Sequence, residues 1–270
     1  MLRLALRVPA EDADVVLAEL IAIAPSGVEQ VDGDGWVEYA IYGAPGELPS
    51  LPDLEATVGD VLVEVTTSEV ADDWAHRWRE FHKPLVVGDR LRVRPPWEAQ
   101  GTEAFDVVID PALAFGTGAH ATTRLCLELL LDIEPGGSLL DLGCGSGVIA
   151  VLAAKLGFAP VAAADYDQLG VDATIDNAAV NGVEIEVSKL DLRTEPIPHS
   201  DILVANILAS VLVVLASKMG SQRPAKVVLS GILDEQANSV LEVWRQLGYS
   251  RADRRSREGW TALLLASNSG

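Results

Sequence analysis

Residues 138–165, SLLDLGCGSGVIAVLAAKLGFAPVAAAD, constrain the fold more than any other part of the chain. LLDL suits a buried strand, glycines follow at 143, 145 and 147, and VIAVLAAKL continues with helical character. Glycine adopts positive φ without strain and lets the backbone approach a neighbour with no Cβ in the way. A second apolar run, VAAAD, ends on Asp165. Strand, glycine turn, helix and strand make a βαβ unit, in which two parallel strands are joined by a right-handed crossover.

The same alternation continues downstream. Strands are expected at 139–142, 161–165, 184–187, 201–206 and 226–231, and helices at 148–157, 168–181, 207–218 and 234–247. The tail, 249–266, reads as a strand, an Arg-rich turn (Arg251, Arg254, Arg255 and Arg257) and a final strand that adds an antiparallel strand at one edge. This order predicts an α/β fold, a doubly wound parallel Rossmann-like sheet of the class I methyltransferase type. The first part reads β-α-β-β-(short α)-β, with strands at 2–8, 28–31, 36–42 and 61–67 and a helix over 11–24. Asp32-Gly33-Asp34-Gly35 is a hairpin signal. That order suits a small ferredoxin-like α+β domain. The expected division is 1–67 for this domain, 68–84 for a linker helix carrying Trp74 and Trp78 on one face, and 85–270 for the larger domain.

Three motifs carry chemistry. In Asp141-Leu-Gly143-Cys-Gly145-Ser-Gly147, a dinucleotide fingerprint would need glycine at 148, where the chain has Val148, and no GK(S/T) follows for a P-loop. An acidic residue two before the first glycine is typical of S-adenosylmethionine (SAM) loops, with Asp141 near the methionine end. Asp165, 22 residues after Gly143, can accept from both ribose hydroxyls. Gly143, Gly145, Asp141 and Asp165 are therefore candidate SAM contacts, and no metal is required. The second motif is Phe115-Gly-Thr-Gly-Ala-His-Ala-Thr-Thr123, just before a helix. It suits a loop over the cofactor, which adds Phe115, Gly116, Thr117, Gly118 and His120 as candidate contacts. Thr122 and Thr123 lie in the helix's first turn, where hydroxyls and free N–H groups can bind a carboxylate. The third is Asn206-Ile-Leu-Ala209 at the carboxyl end of a strand, the edge at which open α/β sheets bind ligands. Asn206 is the candidate catalytic residue, because its side-chain oxygen can accept from an amine. With no aromatic ring beside it, an aliphatic amine fits better than a nucleobase.

Composition narrows the partners. The chain has 40 Asp+Glu against 20 Lys+Arg, a net charge of −20. Residues 1–70 hold 14 of the acidic side chains and only Arg3 and Arg7 as basic ones. Such a surface repels phosphate backbones, so no direct nucleic-acid contact is expected, and it attracts a basic protein. Cys126 and Cys144 lack CxxC spacing, which suits a reducing cytoplasm. The longest apolar stretch, Ile202–Ala216, is 15 residues, short of a membrane span.

Together, DPALAFGTGAHATT (110–123), DLGCGSG (141–147) and VANILA (204–209) resemble the ribosomal protein L11 methyltransferases. LSGIL (229–233) and the pattern of Trp74, Trp78, Arg79, Lys83 and Pro84 share that resemblance. It covers about residues 70–266 well, and residues 1–66 only in length and strand order. It implies SAM-dependent methylation, to the trimethyl state, of lysine side-chain and N-terminal amines on one basic large-subunit ribosomal protein. It also implies a substrate-recognising N-terminal domain that swings on the linker, and cofactor contacts at Thr123, Gly143, Asp165 and Asn206. A monomer is expected. Where relatives often have Asp-x-Asp-Pro, this chain has Asp165-Tyr-Asp167-Gln168. Alternatives from the residues alone are a methyltransferase of another protein or a small-molecule amine, and a SAM-binding regulator without turnover.

Overall fold

The computed structural model describes residues 2–13, 16–17, 28–43, 54–58, 61–69, 82–111, 120–220 and 223–268. The chain forms two compact units, Met1–His82 and Lys83–Gly270. Most of the helix expected over 11–24 and nearly all of the linker helix, with Trp74, Trp78 and Arg79, lie outside the described residues.

In the first unit, strands β1 (Leu2–Pro9), β2 (Glu29–Asp32), β3 (Trp36–Gly43), β4 (Leu54–Val58) and β5 (Val61–Glu69) form an antiparallel sheet in the order β2-β3-β1-β5-β4. Without β4 this is the ferredoxin-like strand order. A short helix was expected between β3 and β5; β4 occupies 54–58 of that stretch, and the rest of it lies outside the described residues. Leu54, Ala56 and Val58 alternate with Glu55 and Thr57, and Val58 pairs with Val61 as β4 folds back along β5. Leu4, Leu6, Val8, Val37, Tyr39, Ile41, Val63 and Val65 bury one face. Ala13 and Val16 cover it, and the Tyr39 hydroxyl donates to the Ala13 carbonyl at 3.1 Å. On the other face Glu38 bridges Arg3 and Arg7 at 2.6 and 2.9 Å, and Arg7 lies over the Trp36 ring.

The second unit opens with a small sheet of β6 (Leu85–Val87), β7 (Leu91–Arg94) and β8 (Phe105–Val108). β9 (Leu139–Leu142), β10 (Val161–Asp165), β11 (Glu186–Lys189), β12 (Ile202–Asn206), β13 (Lys226–Leu233), β14 (Tyr249–Arg257) and β15 (Trp260–Ser267) build the main sheet. Helices α1 (Ala121–Leu131), α2 (Val148–Leu156), α3 (Gln168–Asn181), α4 (Ala209–Lys218) and α5 (Ala237–Gln246) accompany it. The sheet order is β11-β10-β9-β12-β13-β15-β14, and β9 through β13 run parallel.

Pleating sorts the core into two layers. Ile202 and Val204 point to the side that holds α1 and α2, while Leu203 and Ala205 point to the side that holds α4 and α5. The apolar stretch Ile202–Ala216 is therefore β12 followed by most of α4. Among the described residues no helix is long and apolar enough to cross a membrane.

Two expectations need correction here. The closing hairpin supplies both last strands, and β15, the antiparallel one, inserts between β13 and β14 rather than lying at the edge. The arginines expected in a turn instead lie within β14, and the turn is Glu258-Gly259. Arg255 and Arg257 project onto α1 and the residue that ends it, pairing with Asp132 at 2.5 Å and Glu128 at 2.8 Å.

Candidate active site

The order of the sheet reverses between β9 and β12. From β9 the chain steps to β10 on one side, and it later returns to β12 on the other. Crevices at such a switch, outside the carboxyl ends of the strands, are where open α/β sheets bind ligands. The glycine loop follows β9, Asp165 ends β10 and Asn206 ends β12, so all three motifs meet that edge.

Gly143, Gly145 and Gly147 have φ of 78°, 51° and 76°. A Cβ on Gly143 would lie 2.5 Å from Ile207 Cγ2, and one on Gly147 would lie 2.8 Å from Thr174. The loop thus closes against the residue after Asn206 on one side and against α3 on the other. Gly147 is the N-cap of α2 and brings no side chain to it. Asp141 supplies the missing acceptor from β9: its Oδ2 accepts from Ala150 N at 3.2 Å. Its Oδ1 is buried with no hydrogen-bond partner. The side chain is fully buried, and burial raises its pKa to about 7, with the nearby Asp165 charge adding to the rise.

Asp141 therefore makes stability depend on pH. An unfolded aspartate ionises near 3.9, whereas this one holds its proton to about 7. Between those values the folded chain keeps a proton that the unfolded chain has lost, so this side chain's contribution falls as pH rises through that window. The deficit persists above it. Asp141→Asn keeps an acceptor for Ala150 N and removes the ionisation. It is expected to raise Tm at pH 8 by roughly 5 °C or more and to flatten the pH dependence between about 4 and 7. Thermal denaturation across that range measures both effects.

Asp165 ties the loop to α3. Oδ2 accepts from Gly145 N at 2.9 Å and Oδ1 from Asp167 N at 3.0 Å. Asp167 in turn caps α3, accepting from Leu169 N. The helix start is thus built without the proline common in relatives. Asn206 is half-buried, and its Nδ2 donates to Thr123 Oγ1 at 3.2 Å, with no hydrogen bond to its carbonyl oxygen among the described residues. Ala209, half-buried, stands three residues on, where an aromatic ring would serve planar substrates.

His120 is the N-cap of α1. Its Nδ1 accepts from the Thr122 backbone N–H at 3.4 Å and shares a hydrogen bond with the Thr122 hydroxyl at 2.8 Å, and Trp260 packs edge-on against the ring. Burial holds the imidazole below its usual pKa, so it is neutral at pH 7 and able to accept. Phe115, Gly116, Thr117 and Gly118 lie outside the described residues.

Two neighbours entered the sequence analysis only as part of LSGIL (229–233), with no role assigned. Ser230, fully buried, donates from Oγ to the Thr122 carbonyl at 3.0 Å, and its own carbonyl accepts from Ile207 N at 3.2 Å. It joins the start of α1 to the end of β12. Gly231, with φ of 81°, lies where a Cβ would come 2.4 Å from the Ile207 carbonyl oxygen. A serine–glycine pair inside an apolar strand is a weak signal on its own.

Sheet order, glycine loop and the acidic end of β10 define a class I methyltransferase domain, the SAM-dependent kind. The model of the ribosomal protein L11 methyltransferase (PrmA) family matches residues 50–268. A Symbiobacterium thermophilum ribosomal protein L11 methyltransferase is 40% identical over 198 residues, which is 72% of this chain and 65% of that protein. The chain thus spans slightly under two thirds of that relative. The Burkholderia ambifaria protein of the same name is 36% identical over 282 aligned positions, covering 94% of this chain and 93% of that one. A solved ribosomal protein L11 methylase from Lactobacillus delbrueckii subsp. bulgaricus superposes with a TM-score of 0.64 at 28% identity, over 69% of this chain and 99% of that one. The chain belongs to the ribosomal protein L11 methyltransferase family.

Proposed function

We propose that the chain transfers methyl groups from SAM to lysine side-chain and N-terminal amines of ribosomal protein L11, up to the trimethyl state. The observation that carries this reading is the Asn206 amide, tethered to Thr123 beside the glycine loop and with no hydrogen bond to its carbonyl oxygen among the described residues. The names of the relatives supply the substrate. The site suits SAM on two counts. The glycines at 143, 145 and 147 all hold positive φ, so the loop turns tightly with no side chains at those positions, and the orphaned Asp141 oxygen is a buried acceptor beside it.

When bound, SAM supplies an electrophilic methyl group on a positively charged sulfur. Asp165 has lone pairs beyond those given to Gly145 and Asp167, and these would hold the ribose hydroxyls. Gly143 and Gly145 let the cofactor approach the backbone. Asp141 would lie toward the methionine end, where a nearby cation would favour its ionised form. Thr123 holds the Asn206 amide so that its oxygen accepts from the substrate amine and orients the nitrogen lone pair. Phe115, Gly116, Thr117 and Gly118 would contact the cofactor, and His120, which caps α1, follows them in the chain. His120 is no general base in this account, because its Nδ1 lone pair is committed to Thr122. Solvent takes the amine proton.

Residues 1–67 recognise the substrate, their acidic excess matching a basic protein, and 68–84 link them to the catalytic part. The enzyme acts as a monomer in the cytoplasm and makes no direct contact with nucleic acid. Incubation with labelled SAM and separated large-subunit ribosomal proteins tests the reading. Label is expected in L11 alone, and a chain lacking residues 1–66 is expected to bind SAM normally yet label nothing. Label in a different protein, in RNA or in none would refute it.

A further inference from the structure

We propose that Asn177 is a positioning residue for cofactor binding, joining the glycine loop to the segment that enters residues 112–119. The inference rests on the SAM reading above.

The inner face of α3 carries polar side chains at Thr174, Asn177 and Asn181, a spacing that places all three along one side of a helix. Each grips a different stretch of backbone. Thr174 Oγ1 donates to the Gly145 carbonyl at 3.0 Å. Asn181 Nδ2 donates to the Val108 carbonyl at 2.7 Å and its Oδ1 accepts from Val108 N at 2.9 Å. Asn177 lies between them and holds both stretches at once. Its Nδ2 donates to the Ser146 carbonyl at 2.9 Å, and its Oδ1 accepts from Asp110 N at 3.1 Å.

Asn177 is 1% exposed, so water replaces neither bond when the side chain is lost. Ser146 is fully buried between two glycines of positive φ, Gly145 and Gly147. Such glycines have other accessible conformations, so the loop needs restraint from outside. Asp110 opens the DPALAFGTGAHATT motif. One amide therefore fixes the spacing between the glycine loop and Asp110. An amide is the only neutral side chain of this length that offers one donor and one acceptor in a rigid plane. Aspartate at 177 would still accept from Asp110 N but would set a carboxylate oxygen against the Ser146 carbonyl. Asn181 has comparable bonds to the same neighbouring strand but none to the glycine loop, which makes it the internal control.

The test is calorimetric titration of SAM into the full chain and into Asn177→Ala, Asn177→Asp and Asn181→Ala, with Tm and kcat at saturating SAM measured beside it. Both Asn177 variants are expected to raise the SAM dissociation constant about tenfold or more, with kcat within about threefold of the unaltered chain. Asn181→Ala is expected to lower Tm as much as Asn177→Ala while leaving SAM affinity within about twofold. Unchanged affinity in the folded Asn177 variants, or an equal loss in Asn181→Ala, would overturn the proposal. If Asn177→Ala does not fold, the isosteric Asn177→Asp carries the comparison. Failure of the unaltered chain to bind SAM would overturn the cofactor reading itself, an outcome distinct from normal binding with insensitive Asn177 variants.

Discussion

Asp165→Ala is expected to raise the SAM dissociation constant by about two orders of magnitude while leaving methyl transfer at saturating SAM within a few-fold. The carboxylate already accepts from Gly145 N and Asp167 N, so it sets both the glycine loop and the start of α3. Hydrogen bonds to a charged acceptor each contribute about 1.5–3 kcal/mol, and removing this one also removes the partner for the ribose. Helix α3 packs too closely to compensate, since a Cβ on Gly170 would lie 2.9 Å from the Asp165 carboxylate. Asp165→Asn retains an acceptor oxygen and should lose roughly tenfold. The substitution also removes a negative charge that raises the Asp141 pKa, so Asp141 should titrate below about 7 in the variant. Calorimetric titration reads the affinity. An Asp165→Ala chain that binds SAM normally would remove Asp165 from the cofactor site.

Asn206→Ala should produce the opposite split. Turnover is expected to fall about 10²- to 10³-fold with SAM affinity nearly intact. A free lysine has a pKa near 10.4, so presenting its neutral form at pH 7 costs about 4–5 kcal/mol before any chemistry. Neutral Asn206 can accept from the amine without favouring the ammonium form as strongly as a carboxylate would. Asn206→Asp makes that explicit: a negative charge there raises the bound amine's pKa, so the rising limb of the pH–rate profile should move to higher pH. Single-turnover rates at saturating SAM across pH 7–10 measure both variants. Unchanged turnover in Asn206→Ala would contradict the assignment.

The doubly wound sheet is legible because its central strands are short, buried on both faces and bounded by Gly, Asp or Asn; 139–142 and 161–165 coincide with β9 and β10. Legibility fades at the edges. β11 is largely exposed, so its apolar residues give little register, and it lies two residues beyond the stretch 184–187. β14 looks like a polar turn in sequence, but Arg255 and Arg257 find carboxylate partners along α1 and at its end, more than 120 residues earlier. β4 is short and alternates through Glu55 and Thr57, which leaves a weak strand signal. Within the site, Asp141, Gly143, Asp165 and Asn206 stand out because loop chemistry demands particular residue types at those points. Ser230 and Asn177 do not. Ser230 meets Thr122 across 108 residues and Asn177 meets Asp110 across 67, so only the folded chain brings them together. Polar residues at 174, 177 and 181 on a buried helical face were the available hint.

The central claim, that the stretch from β9 to the end of β10 forms the SAM site, is tested most directly by amide hydrogen exchange on the full chain with and without saturating SAM. The account predicts slowed exchange at Gly143–Gly147 and around Asp165–Asp167, a smaller effect at Asn206–Leu208, and no change across β1–β5. Absence of protection at the glycine loop, or protection centred on the N-terminal sheet, would contradict it.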